Sequence, residues 1–233
     1  MKRLLAAVIA ILFSACAAMP MRAAGPSDEE KLRLPKIISA NPYQQSIRLG
    51  GWVEVHTDKG WLRSKASVVL DRPHNLKVMF FDPLGTAWFM ATANSQTVFY
   101  AAPNDGIRDL LPRKEGHPIK IGGISLNPDD VIMGLHPGME PKLLEGAKVD
   151  FQKNGGLRLH RDSFSQNMEF DSQGRITGSV VLRDGQAPLR LSYVYGDAPA
   201  YTVQINGDIR FQFQRVEEMK EIPDTFFDPP PEQ

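Results

Sequence analysis

The sequence has one cysteine, Cys16, among 233 residues. A lone cysteine cannot form an internal disulfide, so Cys16 does not staple the fold. Charge of one sign is also missing, because 27 basic residues balance 27 acidic ones. A balanced chain lacks the basic surface that nucleic-acid backbones demand, and no nucleic-acid partner is expected. Long apolar runs are absent apart from Leu4–Phe13, which falls short of the ~20 residues that span a bilayer as a helix. Phosphate-cradling glycine loops and a Gly-x-Ser-x-Gly nucleophile elbow are missing too. The five histidines, His56, His74, His117, His136 and His160, stand far apart without metal-ligand spacing and read as surface or turn residues. His160-Arg161-Asp162 followed by Asn167 has the spacing of a kinase catalytic loop, but the other segments that give that spacing meaning are not there. No catalysis, cofactor or metal is expected.

What is present begins at the amino terminus. Lys2 and Arg3 precede the apolar run Leu4–Phe13, and the small residues Ser14 and Ala15 follow it. This is the layout of a secretory signal over residues 1–15, with cleavage before Cys16. Leu12-Phe13-Ser14-Ala15-Cys16 resembles the lipobox of bacterial lipoproteins. The resemblance implies a diacylglyceryl group on the thiol and an acylated new amino terminus. Two or more acyl chains anchor a protein firmly, whereas one does so marginally. Ala17 beside the cysteine fits sorting to the outer membrane, facing the periplasm. Removing residues 1–15 takes two basic residues and no acid, which leaves a formal charge of −2. Residues 16–31 then read as the lipidated end and a flexible tether, and 32–233 as the folded domain.

Within 32–233, Leu34, Ile37 and Ile38 sit at helical spacing, which predicts a short helix from Pro35 to about Pro42. Strand patterns dominate after it. Ile47, Leu49, Val53 and Val55 alternate with polar or small neighbours, and so do Leu76, Val78 and Phe80. Thr86–Ala93 and Gln96–Ala101 read as the next two strands, and Asn104–Leu111 as a short helix. Asn127 and Pro128 mark a helix start, with Val131, Ile132, Met133 and Leu135 following and Pro137-Gly138 ending the segment. From Ala147 the alternation returns. Turn pairs at Asn154-Gly155, Gln173-Gly174, Asp184-Gly185 and Asn206-Gly207 separate the strands.

The pattern is an antiparallel meander with one apolar and one polar face. The apolar face is aromatic and contains methionine: Val53, Val55, Leu76, Val78, Phe80, Trp88, Met90, Phe99, Phe170, Tyr193, Phe211 and Phe213 are assigned to it. Two readings of that face stand side by side. It is the filled core of a structural lipoprotein that binds protein partners. Or it lines a cavity for an acyl chain.

The stretch Pro73–Phe81, the turn Asp82-Pro83-Leu84-Gly85 and the strands over 86–101 resemble the LolA/LolB family of lipoprotein-localisation proteins. So do the apolar stretch Pro118–Ser125, the helix Leu126–Met133 and the run Gly134-Leu135-His136-Pro137-Gly138. The resemblance implies a mainly β fold, an unclosed antiparallel β-barrel or half-barrel with short helices as a lid over an apolar cavity. It implies a lid formed by Val131, Ile132, Met133 and Leu135, a ligand that is an acyl chain of a lipid or lipoprotein, and a periplasmic carrier protein as partner. LolB itself carries a protruding loop with an exposed apolar residue near the early hairpins. The turn His56–Gly60 is short and polar, with Trp61 and Leu62 only at its end.

The cysteine expectation is directly testable. Cys16→Ser leaves an unlipidated precursor that leaves the membrane pellet on fractionation. Normal processing and continued membrane attachment of the mutant contradict it.

Overall fold

In a computed structural model, the structure describes residues 28–57, 60–103, 106–113, 119–121, 124–139, 144–162 and 164–230. Cys16 and the signal segment lie outside the described residues. The chain divides into two units, Met1–Pro35 and Lys36–Gln233. Helix α1 runs Asp28–Ala40 and carries Pro35 in its interior. It begins earlier than the proline signal predicts and takes in residues 28–31, which the sequence reads as tether.

The second unit is built on one sheet of thirteen antiparallel strands. Six follow one another as a meander: β1 (Ser46–Thr57), β2 (Gly60–Asp71), β3 (Asn75–Phe81), β4 (Ala87–Ala93), β5 (Thr97–Ala102) and β6 (Ile107–Pro112). A small separate hairpin pairs β7 (Ile119–Ile121) with β8 (Ile124–Leu126), and helix α2 (Pro128–Gly134) comes next. Seven more strands form a second meander: β9 (Lys148–Phe151), β10 (Leu157–Arg161), β11 (Phe164–Phe170), β12 (Ile176–Arg183), β13 (Leu189–Tyr195), β14 (Tyr201–Ile205) and β15 (Ile209–Glu218). The two meanders join where β1 pairs with β15. The far edges, β6 and β9, do not pair with each other, so the sheet is not closed.

The turns follow from their residues. Asn206 and Gly207 both take positive φ, 52° and 89°, which asparagine and glycine tolerate best. In the β3–β4 turn, Asp82 Oδ1 accepts from the backbone N–H groups of Leu84 (2.9 Å) and Thr86 (2.8 Å), an Asx turn that fixes the tip. At the seam, β15 bulges opposite Gly50 and Gly51. A Cβ on Gly51 would lie 2.0 Å from the Gln212 carbonyl oxygen, so only glycine fits there.

Cross-strand partners share a face, and the register therefore sorts the side chains. Val53 pairs with Phe211, Val78 with Ala91, and Tyr193 with Val203. These residues belong to one inner face, which also carries Val55, Leu76, Phe80 and Phe213. Trp88 joins it through a bulge. Phe81 faces Ala87 and Phe80 faces Phe89, which leaves Trp88 as the extra residue. Its indole N–H donates to Ser64 Oγ at 2.9 Å, and its ring lies 5.6 Å from that of Phe80.

That bulge reverses the phase beyond it. Met90 pairs with Met79 and lies on the outer face, not the inner one. Phe99 pairs with Thr92 and lies on the outer face as well. Phe99 is nevertheless buried, because this part of the outer face is also covered. The 3-10 turn Asp224–Phe227 packs against β3, Lys77 Nζ donates to the Phe226 carbonyl at 3.2 Å, and Phe227 is buried. The segment Asn104–Leu111, read as a helix, is strand β6 over its described part. Ile107, Leu110 and Leu111 mimic helical spacing, but pairing with the edge of β5 decides the outcome.

Candidate functional site

Helix α2 lies on the inner face, and local chemistry explains why it forms. Asn127 caps it by accepting from the Asp129 N–H at 2.9 Å, and Pro128 occupies the first turn. Val131, Ile132 and Leu135 are buried against the sheet, and Met133 is half-buried. The lid residues expected from the sequence are therefore together on the apolar face. Gly134 comes so close that a Cβ there would meet Leu191 Cδ2 at 2.8 Å.

A helix end leaves carbonyls without partners. Strands β13 and β14 and the β2–β3 turn supply donors for three in succession. Tyr193 OH donates to Gly134 O (2.8 Å), Tyr201 OH to Leu135 O (2.8 Å), and Arg72 Nη2 to His136 O (2.7 Å). The Tyr201 hydroxyl has one proton and gives it to Leu135. The 3.0 Å contact from His136 Nδ1 is then a donation into the same phenol oxygen, which fixes the imidazole proton on Nδ1. Burial, together with repulsion from Arg72, pushes the His136 pKa down to about 3. Burial raises both Tyr193 and Tyr201 well above the usual phenol range. All three groups are thus neutral at physiological pH, as this network requires. His136 is half-buried in a polar network and not a plain surface histidine.

The start of α2 is held by charge. Asp129 contacts Arg113, whose guanidinium also donates to the carbonyls of His74 and Asn94. Asp130 lies 3.0 Å from Arg183. Burial raises the Asp130 pKa, Arg183 opposes that rise, and Asp129 adds to it. Asn41 secures the loop beyond the helix. It accepts from Ile176 N–H, donates to Gly174 O, and takes the Met139 N–H on its own carbonyl.

The space around α2 is small. A void of about 20 Å³ lies under it between Met133, Leu159, Met168 and Tyr193, room for roughly one water. A larger hollow of about 190 Å³ runs beside it, lined by Tyr43, Arg72, Ile132, Phe164 and Arg183 among others.

The expected cavity residues do not surround a void. Val53, Val55, Leu76, Val78, Phe80, Phe211 and Phe213 keep 0–2% of their surface. Side chains lining a space wide enough for water would keep more. Phe80 and Phe211 rings lie 6.2 Å apart, and Phe211 stacks on Phe213 at 5.5 Å. These residues form a packed core. Tyr193 serves the helix end, and Phe170 is half-buried near the far edge.

Sequence reasoning missed Arg72, Arg113, Arg183, Tyr201 and His136. The available signal was the inward phase of Tyr193 and Tyr201, since a buried phenol needs an acceptor. Leu84 was also passed over. It is 92% exposed at the tip of the β3–β4 turn, against 52% and 45% for Trp61 and Leu62 after the His56–Gly60 turn. His160 is exposed on β10, away from any such network. Among the described residues no three His, Cys, Asp or Glu side chains converge as a metal site would require.

No protein-family model and no curated protein matches the sequence. Solved structures do match the fold. A LolA superfamily protein from Nitrosomonas europaea has a TM-score of 0.51 at 11% identity, covering 85% of this chain and 97% of its own. A DUF1329 family protein from Desulfovibrio piger has a TM-score of 0.53 at 8% identity, covering 87% and 98%. The fold resembles those of these two proteins and is LolA-like: mainly β, an unclosed antiparallel sheet with short helices.

The His136 network predicts acid sensitivity. The folded pKa lies below the unfolded one, so between about pH 6.5 and pH 3 the folded chain binds fewer protons, and stability falls as pH falls. From pH 7.5 to pH 5 this costs about 2 kcal/mol. Asp130, raised, works in the opposite sense, so the comparison is with His136→Gln. Urea titrations show wild type losing about 2 kcal/mol more than His136→Gln over that range. Equal losses contradict the network.

Proposed function

We propose that this chain is a lipid-anchored envelope protein that takes up an acyl chain on the inner face of its open sheet, in exchange for helix α2. It is tethered through acylated Cys16 to the outer membrane, facing the periplasm. It accepts or passes on lipids or lipoproteins there, with a soluble periplasmic carrier as partner, and it performs no covalent chemistry.

The observation that carries this reading is how α2 is held. A seven-residue helix covers an apolar floor, and polar contacts at both of its ends fasten it. Each hydrogen bond from Tyr193 and Tyr201 contributes about 1 kcal/mol net. Burying a dozen methylenes yields a gross ~10 kcal/mol. Exchange against α2 offsets part of that gain, which keeps uptake reversible. The LolA-like fold and the sequence resemblance support the same class of ligand. The rigid, exposed Leu84 tip suits contact with a membrane or an apolar cargo.

The packed cluster around Phe80 and Phe211 favours a second reading, in which the sheet is a filled structural half-barrel and α2 a permanent plug. One pair of variants separates the two. Tyr193→Phe and Tyr201→Phe each remove a donor to the end of α2 and lower stability by about 1–2 kcal/mol. Under exchange, each also tightens binding of a fluorescent fatty acid, by about fivefold, because the helix leaves more easily. Lower stability with unchanged or undetectable fatty-acid binding supports the permanent plug.

A further inference from the structure

Displacing α2 would break two ion pairs, and the cations left behind identify the head of the ligand. Asp129 and Asp130 are adjacent on α2, and each meets a guanidinium that belongs to another part of the fold. Arg113 is fixed from behind by the carbonyls of His74 and Asn94, and its side chain is only 11% exposed. Arg183, on β12, stands 5.9 Å over the Phe164 ring and is 26% exposed. Neither arginine is held by α2 alone, so both stay when the helix leaves. The hollow of about 190 Å³ beside α2 already has Arg183, Arg72 and Asp129 in its wall, next to the apolar Ile132, Met133 and Phe164.

A neutral acyl ligand in place of α2 would leave largely buried cations facing hydrocarbon. Removing one partner of such a pair is strongly unfavourable. A ligand that carries its own anion restores the balance, and it finds the apolar and cationic walls side by side.

We propose that the hollow beside α2 binds the anionic head of an acyl amphiphile, a carboxylate or phosphate held by Arg183 in its wall, with Arg113 coming into reach once Asp129 has left it, and that Asp129 and Asp130 are the chain's own stand-ins for that head. This rests on the exchange of α2 for an acyl chain and sharpens it. The lid acids and the ligand compete for the same two cations. Lid opening and head-group capture are therefore one event.

The test is calorimetric titration of the purified full chain with three ligands of equal chain length, each below its micellar concentration: palmitate, palmitoyl lysophosphatidylglycerol and monopalmitoylglycerol. The anionic ligands bind about tenfold or more tightly than the neutral ester. Binding of palmitate alone assigns a carboxylate head, and binding of the lysophospholipid alone assigns a phosphate. Arg183→Gln removes the preference: the anionic ligands bind no more tightly than the ester, whose own binding gains only what freeing that end of α2 gives. Asp130→Asn, which weakens the competing stand-in, tightens the anionic ligands. Equal affinity for all three overturns the anionic head while leaving acyl binding in place. A preference that survives both Arg183→Gln and Arg113→Gln overturns its assignment to this hollow. Failure of all three to bind overturns the acyl-exchange reading itself, and this inference with it.

Discussion

A single curved sheet has no second layer, so its apolar face must be covered from within the same chain. Thirteen strands place Val53, Phe80, Phe211 and Phe213 on one side, and leaving that side wet would forfeit the main stabilising term in folding. Much of the face is covered by its own large side chains: Phe80 meets Phe211 across the curve as tilted rings, and Phe213 stacks beside Phe211 on β15. The part near β13 and β14 is covered by α2. The difference between the two parts matters. Interlocked side chains cannot leave without unfolding the sheet, whereas the proposed uptake asks only a short helix on a loop to leave.

The second constraint is polar. A helix end lowered onto an apolar face carries its unpaired carbonyls with it, and burying them bare would cost several kcal/mol in total. Tyr193 and Tyr201 answer that requirement from the sheet, and Arg72 from the β2–β3 turn. Each is an apolar or aliphatic body with a polar tip, so it serves as floor and as donor. The same contacts make the covering selective. Helix α2 seats only where the phenols and the guanidinium meet its carbonyls, with its two aspartates opposite Arg113 and Arg183.

Much of the fold was legible because period-two alternation and turn residues are local. Leu189, Leu191 and Tyr193 alternate with polar residues, and Asn206-Gly207 turns the chain. The phase failed where a local rule was interrupted. The bulge at Trp88 turns Met90 outward, and β5 is buried on both faces, so alternation offered no guide at Phe99. Strand β6 was misread because Ile107, Leu110 and Leu111 mimic helical spacing on an edge strand whose low burial enforces no period-two alternation. At the site, helix α2 was legible from Asn127, Pro128 and the run after them, whereas its fastening was not. Tyr193 meets Gly134 across 59 residues and Tyr201 meets Leu135 across 66. Nothing local in one sequence specifies such a pair. The expected cavity was an inference from an apolar face, and the structure shows that face packed.

The central claim is that α2 and an acyl chain exclude each other on the inner face. Amide hydrogen exchange reads this directly, because the Leu135 N–H is bonded to Val131 O within the helix while β1 and β15 hold the seam of the sheet. At fatty-acid concentrations where binding is measured independently, the account predicts that amides 131–135 lose protection while those of β1 and β15 keep theirs. Unchanged protection of 131–135 at saturation would mean that α2 is a fixed wall of the fold and that any ligand binds elsewhere.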